Sequence, residues 1–554
     1  MAMTSSSLLL LALAGPLLAA PPDPMFRAMA DELARSTTLL RLEPNAPPYF
    51  VAYRQRDSIN SHIQARFGSL VRQDLSEPRS RFATIELRVG SPQLDQTHFQ
   101  SPTSFLTQSW PVAMPLEDDY LVARHALWQG TDAIYKNALE TLAKKKAVLE
   151  SRKLQDATPD FVPAPATQSW VDSAPLVLDR PRGEALAREL SGLFRGYPAI
   201  LRSNVELDGA DQITRFLNSE GSRTFNHETL VTLAISAHTQ AADGSALGQF
   251  HEHYARTQDG LPSQTQLRAE TRKLAEDLTA LRQAPAFTEN YSGPVLFEGT
   301  AAVKIFSRIM TGKLVATRKS ITEGAAGGGV ENSFQHRLGA RVLLDSLSVT
   351  DEPGRTEFQG IPLLGGAKVD EEGIPTRTVR LIDHGKLRAL LTSREPVPGF
   401  AESTGSCHGG AAAPSNVIVQ ADPGLPAAEL RTRLMQAAQE RGLAYAMVVR
   451  DLTVNGDHLE PIVVKLFPDG HEQAVRNAEM TGLTFASFRD LLAAGQEPQV
   501  GHYYYRHAGP GQSATLMSLA VPALLFQEVG FQKPGGTIPT PPHVQHPYFD
   551  SLAK

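Results

Sequence analysis

The chain has 554 residues, 42% of them apolar and 20% charged, with 53 basic against 59 acidic side chains and a net charge of −6. That length exceeds what one hydrophobic core serves, so two domains are expected, and the composition is that of a folded protein. The lack of a basic surplus argues against nucleic acid as a partner, and a single cysteine, Cys407, excludes an internal disulfide.

Met1 to Ser7 carries no Lys or Arg, and Leu8 to Ala20 is an apolar run followed by Pro21-Pro22-Asp23-Pro24. The run is too short to cross a bilayer and ends in small residues, so residues 1–20 read as a secretory signal peptide. A periplasmic or secreted mature chain follows; a frayed apolar terminus or a lipid-facing anchor is the alternative. No later stretch reaches about 18 uninterrupted apolar residues, so no transmembrane span is expected in the mature chain.

Phe26 to Leu40 reads as a helix with Met29, Leu33 and Leu40 on one side. Tyr49 to Arg56 and Ile59 to Phe67 read as two extended segments parted by a polar break. Ala83, Ile85, Leu87 and Val89 then alternate with Thr84, Glu86 and Arg88, the pattern of an antiparallel strand with one wet face. Leu127 to Leu149 has helical spacing, with Lys144 to Lys146 in the final turns where cations suit the helix dipole. Residues 156–167 (DATPDFVPAPAT) are Pro-rich and read as a linker or surface loop.

Gly183 to Phe194 reads as a helix. Phe216-Leu217, the turn Asn218-Ser219-Glu220-Gly221 and Leu230 to Ala237 form a hairpin pattern. Ser263 with Gln266 is a capping-box pattern ahead of a helix carrying Leu267, Leu274, Leu278 and Leu281, which Pro285 ends. From Ser292 onward Gly and Pro are frequent, and short apolar runs dominate, at 341–349, 378–382, 416–420, 445–449, 462–467 and 514–525. A boundary near residue 286 therefore divides an N-terminal domain, 21–285, from a C-terminal domain, 286–554. The expected fold class is α+β: a mixed α/β domain with an antiparallel sheet, then a mostly β domain with a few helices.

At Tyr291 to Ala302 (YSGPVLFEGTAA) an apolar strand ends in Phe-Glu and a helix begins, with Ala302, Ile305, Phe306 and Ile309 on its buried side. Further on come Gly339 to Leu344 (GARVLL), Gly360 to Val369 (GIPLLGGAKV), Asp370 to Pro375 (DEEGIP), Pro414 to Val419 (PSNVIV), Val463 to Gly470 and Gly511 to Phe526. Leu217 to Gly221 (LNSEG) lies in the first half. In this order the segments resemble the TldD/PmbA family of metallopeptidase-related proteins, over nearly all of the mature chain, and Ser80 to Ser91 resembles a secreted or periplasmic branch of it. The resemblance implies a two-domain protein that pairs as a homodimer or heterodimer around a cavity where unfolded peptides are cleaved. Subunits with a His-Glu-x-x-x-His motif do the chemistry there, and partners without it complete the chamber.

Carried over onto this chain, the family's first histidine falls on Phe297, the glutamate on Glu298 and the second histidine on Ala302. Phenylalanine and alanine offer zinc no lone pair, and a catalytic zinc needs about three protein ligands plus an open position. The family's third ligand, a cysteine before a Gly-Gln pair, falls near His507 ahead of Gly511-Gln512. Glu298 has two readings: a vestigial general base, or a carboxylate favoured by a helix N-terminus.

Other constellations carry weaker signals. His251-Glu252-His253 puts both imidazoles on one face if the segment is a strand. Cys407-His408 pairs a thiol with an imidazole, but neighbours in a strand point apart. Gly324 to Gly329 lacks the Lys-Ser/Thr of a phosphate loop and reads as a surface loop. Tyr503-Tyr504-Tyr505 with Arg506 could stack on a ligand or rim a sheet.

The expected function is a non-catalytic subunit that binds extended peptide, by adding a strand to a sheet edge. Its expected partner is a second copy or a zinc-bearing TldD-like subunit, with no cofactor of its own. An active zinc peptidase with rearranged ligands, drawn from Glu298, His408 and His507, is the alternative, and an envelope structural or assembly protein is a third.

Overall fold

A computed structural model describes residues 23–73, 79–101, 109–154, 158–324, 332–455, 458–506 and 514–535. The apolar run of residues 8–20, His507 and all but the first residue of the Gly324 to Gly329 run lie outside them. The described chain is an α+β fold built on two large sheets.

In the first, strands Arg79–Arg88, Phe50–Arg66, Arg202–Asn218, Arg223–Gln240 and Ala246–Ala255 lie side by side in that order, all antiparallel. Side chains alternate between faces with a period of two. The register sets Arg54 opposite Thr84 and Phe216, Phe216 opposite Thr224, and Thr232 opposite Tyr254, so the even-numbered residues share one face. The odd-numbered face is apolar: Tyr53, Ile85, Leu207 and Leu233 are fully buried there. It packs under four helices, α1 (Pro24–Leu39), α2 (Tyr120–Arg152), α3 (Arg180–Leu193) and α4 (Gln264–Gln283).

Local chemistry explains where these helices begin. Asp23 accepts from the N–H groups of Met25 and Phe26 ahead of Pro24, and Asp119 and Asp179 cap α2 and α3 in the same way. Ser263 Oγ accepts from Gln266 N at 3.3 Å, but the Gln266 side chain donates to Glu270, so only half of the expected box forms. The two segments expected at 49–56 and 59–67 are one strand. Ser58, Ile59 and Asn60 pair with Gln212, Asp211 and Ala210, and this ladder carries the chain through the polar break.

The spine of the second sheet is Ala514–Gln532, which pairs with Tyr291–Phe297, Asn416–Ala421, Glu479–Thr481 and Leu491–Arg506. Helix α5 (Thr300–Met310) covers one face and α6 (Ala427–Glu440) the other. The apolar run at 341–349 is strand only from Leu347; residues 341–346 turn into it.

The two sheets meet across a buried charge cluster. The Arg88 guanidinium reaches Glu86 at 2.8 Å, Asp95 at 3.0 Å and, from the second half of the chain, Glu395 at 2.9 Å. Lys145 and Arg318 hold Asp160 at 2.7 and 3.0 Å, and Arg394 holds Glu220 at 2.7 Å. Between Arg88 and Arg394 lies the ring of Phe161, 4.1 Å from each guanidinium carbon. Phe161 belongs to the Pro-rich stretch, which is irregular but not a free surface loop: Asp160 and Phe161 are buried, and Val162 N donates to Arg394 O.

Removing that ring takes the filling out of a sandwich between two desolvated cations. Phe161→Ala is expected to destabilise the chain by roughly 3–5 kcal/mol, read as a lower urea midpoint at unchanged slope. A loss below about 1 kcal/mol would show that the stack is not what joins the halves.

Candidate functional site: a cleft between the two sheets

Among the described residues, none of helices α1 to α4 lies on the even-numbered face of the first sheet. It faces the second half of the chain across a string of three cavities. The widest, about 1080 Å³, lies between Asp208, Thr232, Phe250 and Tyr254 of the sheet, Lys304 and Arg308 of α5, and Tyr503 to Arg506. A second, about 300 Å³, shares Ala210, Leu230 and Tyr504 with it and reaches Arg54, Arg56 and His408. A third, about 340 Å³, shares Arg54, Arg56 and Glu371 with the second and ends at Glu86, Arg88 and Cys407. The string crosses the strands from 246–255 to 79–88, so its floor is one polar sheet face.

The wide end is aromatic and mixed in charge. Lys304 Nζ pairs with Asp451 at 2.7 Å and sits 4.9 Å over the Phe250 ring. Tyr254 OH donates to Glu252 at 2.9 Å and the ring lies edge-on to His502 and Tyr504. Burial lowers His502 to about 4, and burial raises Tyr505 to about 12, so the imidazole is uncharged and the phenol protonated at neutral pH. The arrangement offers stacking surfaces and hydrogen bonds.

The strand-to-helix junction beside this cavity is packed solid. Phe297 is fully buried, with its ring edge-on to Phe526 at 5.1 Å, and Phe526 is edge-on to Phe488 at 5.0 Å. Ala302 is fully buried in the same apolar cluster. Val295 and Phe297 face α5, whereas Leu296 faces α6, and Glu298 lies on the α6 side with it. There both oxygens of Glu298 are gripped by Arg431 at 3.0 Å each, with Arg450 at 3.6 Å, and Glu472 completes the network. Gly299, at φ 54, is the N-cap of α5, so Glu298 precedes the helix and its own carbonyl accepts from Ala301 N.

These residues do not fit a catalytic zinc: two carry no donor atom, and the third is occupied by a guanidinium. Among the described residues no group of three or more His, Cys, Asp or Glu side chains is arranged to hold a metal ion. His408 lies in a different setting from Glu298. It follows Cys407 in a short hairpin whose loop, Gly409-Gly410, has φ of 64 and 88, values that favour glycine at both positions. The pair splits as neighbours in a strand must, with Cys407 lining the third cavity and His408 the second. Burial and the carboxyl groups of Glu372, Asp370 and Glu371 push the Cys407 thiol up, which disfavours a thiolate nucleophile. His251 and His253 lie on a strand, as one of their two readings required, and His253 Nε2 is 2.9 Å from Glu270 of α4.

Sequence reasoning missed the Arg54–Arg56 row, although their alternation with Tyr53 and Gln55 carries the signal. It also missed α6, whose Leu430, Leu434 and Ala438 recur at fours.

Residues 290–533 match the PmbA/TldA metallopeptidase C-terminal domain. The fold is similar to that of TldE from Thermococcus kodakarensis (TM-score 0.59, 12% identity, covering 92% of this chain and 100% of that one). It is also similar to two structures described as candidate modulators of DNA gyrase. The one from Thermotoga maritima has a TM-score of 0.58 at 13% identity, covering 87% of this chain and 96% of that one. The one from Bacteroides thetaiotaomicron has a TM-score of 0.56 at 13% identity, covering 92% and 98%. No curated protein matches the chain.

At the third cavity, burial and the neighbouring Asp370 raise the Glu372 carboxyl far above its ordinary 4.5. A carboxyl raised on folding contributes stability that is complete below its unfolded value and is lost as pH climbs through the folded one. Glu372→Gln is therefore expected to match the parent in thermal stability near about pH 5 and to exceed it near about pH 9. Parallel melting curves at both values would contradict this.

Proposed function

The chain belongs to the TldD/PmbA family, and from that premise we propose that it is a peptide-binding subunit without a catalytic zinc of its own. The observation that carries this reading is the state of the junction at 297–302. Phe297 and Ala302, at the positions of the family's two histidines, are fully buried in an aromatic and aliphatic cluster, and Glu298 is held two-pronged by Arg431. Both oxygens of Glu298 are engaged by Arg431, and neither residue 297 nor residue 302 has a donor atom to hold the metal-bound water that a general base would deprotonate.

The cleft supports the binding half of the proposal. It has a wide end with tyrosines on two walls, and a floor of strands that mixes carboxylates, Thr232 and small aliphatic residues with the rings of Phe250 and Tyr254. The chamber is completed by a second subunit, either another copy or a zinc-bearing TldD-like chain. The apolar run at Leu8 to Ala20 supports export to the periplasm or beyond. No described helix is long and apolar enough to cross a membrane.

The test uses the full chain, saturated with zinc, dialysed, weighed in its native state and mixed with a carboxymethylated, unfolded polypeptide. The expected result is a dimer that binds the polypeptide saturably, holds no stoichiometric zinc and cleaves nothing. About one tightly held zinc per chain, with cleavage that disappears in His507→Ala, would overturn the proposal. Tyr254→Ala, which strips an aromatic wall from the wide end, is expected to weaken binding about tenfold in fluorescence anisotropy.

A further inference from the structure

Arg54 and Arg56 stand two residues apart on strand 50–66, so both guanidiniums project from its even face toward residues 365–371 and 408–409. Phe216 and Phe82 lie beneath them, 5.7 and 6.0 Å from the guanidinium carbons, and limit how far each can swing. One carboxylate serves both: Glu371 is 3.4 Å from Arg54 and 3.3 Å from Arg56.

The other acids nearby are committed elsewhere. Glu86 pairs with Arg88 at 2.8 Å, and Glu228 lies 3.8 Å from Arg256. Asp370 is ringed by the N–H groups of Glu372, Ile374 and Cys407 at 2.9 to 3.0 Å. Glu372 accepts from Arg394 N at 2.8 Å, and its raised carboxyl keeps a proton at neutral pH. Two fixed positive charges thus face one available negative charge.

The donors are also incompletely used. Nε of Arg54, Nε of Arg56 and Nε2 of His408 are buried with no hydrogen-bond partner among the described residues. His408 is only 9% exposed and lines the same cavity as the two arginines. Donors removed from water and left without acceptors cost free energy, and an arriving anion recovers it.

Resting on the reading of the cleft as a peptide site, we infer that its inner end is a carboxylate subsite, in which Arg54, Arg56 and His408 receive a carboxylate of the bound peptide. That carboxylate is either the C-terminus or an acidic side chain. From strand 50–66 to strand 246–255 is three inter-strand steps, roughly 14 Å, so the residue about four positions away lies beside Phe250 and Tyr254. The peptide therefore crosses the strands on the sheet face, with an anionic anchor at one end and an aromatic contact at the other.

The probes are fluorescein-labelled Tyr-Ala-Ala-Ala-Ala as the free acid, the same peptide as the C-terminal amide, and Tyr-Ala-Ala-Ala-Glu as the C-terminal amide. Anisotropy titrations of the full chain are expected to rank the uncharged amide weakest, with at least one anionic form about tenfold tighter. A tighter free acid assigns the subsite to the C-terminus; a tighter Glu amide assigns it to an acidic side chain. Arg56→Gln is expected to abolish the preference. Equal affinity for all three forms on the parent chain, or a preference that survives Arg56→Gln, would overturn the subsite while leaving peptide binding intact. Failure of all three to bind would overturn the subsite together with the reading of the cleft.

Discussion

The ring of Phe161, stacked between Arg88 and Arg394, joins the two halves of this molecule, and the cleft lies between the sheets that this joint holds together. Its surroundings are unusual for a seam between two sheets, since Asp95, Asp160 and Lys145 are almost wholly withdrawn from water. Desolvated charges persist only when each is paired with good geometry, and removing one partner leaves an uncompensated ion. Arg88 has three carboxylates, Asp160 has two cations, and the aromatic face supplies a further electrostatic contact to each guanidinium. The network is better regarded as fixing one relative placement of the sheets than as a large net contribution to stability.

With that placement fixed, the first sheet has two different jobs. Its odd-numbered face is apolar and holds four helices; its even-numbered face stays polar and aromatic because another half of the chain stands over it, leaving room for a guest. The junction at 297–302 makes the complementary point about chemistry. At that junction the chain is packed solid, with Phe297, Phe526 and Phe488 forming an edge-to-face series. Glu298 is kept, yet it sits on the α6 side and serves to tie that helix to the sheet through Arg431.

Much of the fold was legible in the sequence where a single period dominates. The alternation at 83–89, the Asn-Ser-Glu-Gly turn of the long hairpin and the Ser263 half of the expected capping box read correctly because local pattern and tertiary role agree there. The split of residues 49–67 into two strands failed because pairing with strand 202–218 outweighs the two polar residues Asp57 and Ser58. The Pro-rich stretch misled for a similar reason: proline marks irregular backbone, but it does not say that Phe161 will be buried between cations from opposite halves. The site was legible only in part. That Phe297 and Ala302 carry no donor atom is read from the sequence itself, whereas the partner of Glu298 lies 133 residues away in a helix that composition did not announce. The Arg54–Arg56 row becomes meaningful only when Glu371 and His408 are brought over it.

In the proposed function the working surface of this chain is the even-numbered face of its first sheet. A photo-crosslinking experiment tests it most directly, using an unfolded peptide that carries a benzoylphenylalanine and mapping the adducts by mass spectrometry. Adducts on Thr232, Phe250, Tyr254 and Tyr503 to Tyr505 are the predicted outcome. Adducts confined to the outer edge strands Ser109–Ala113 and Gln168–Val171, or to the helix-covered face, would contradict the account.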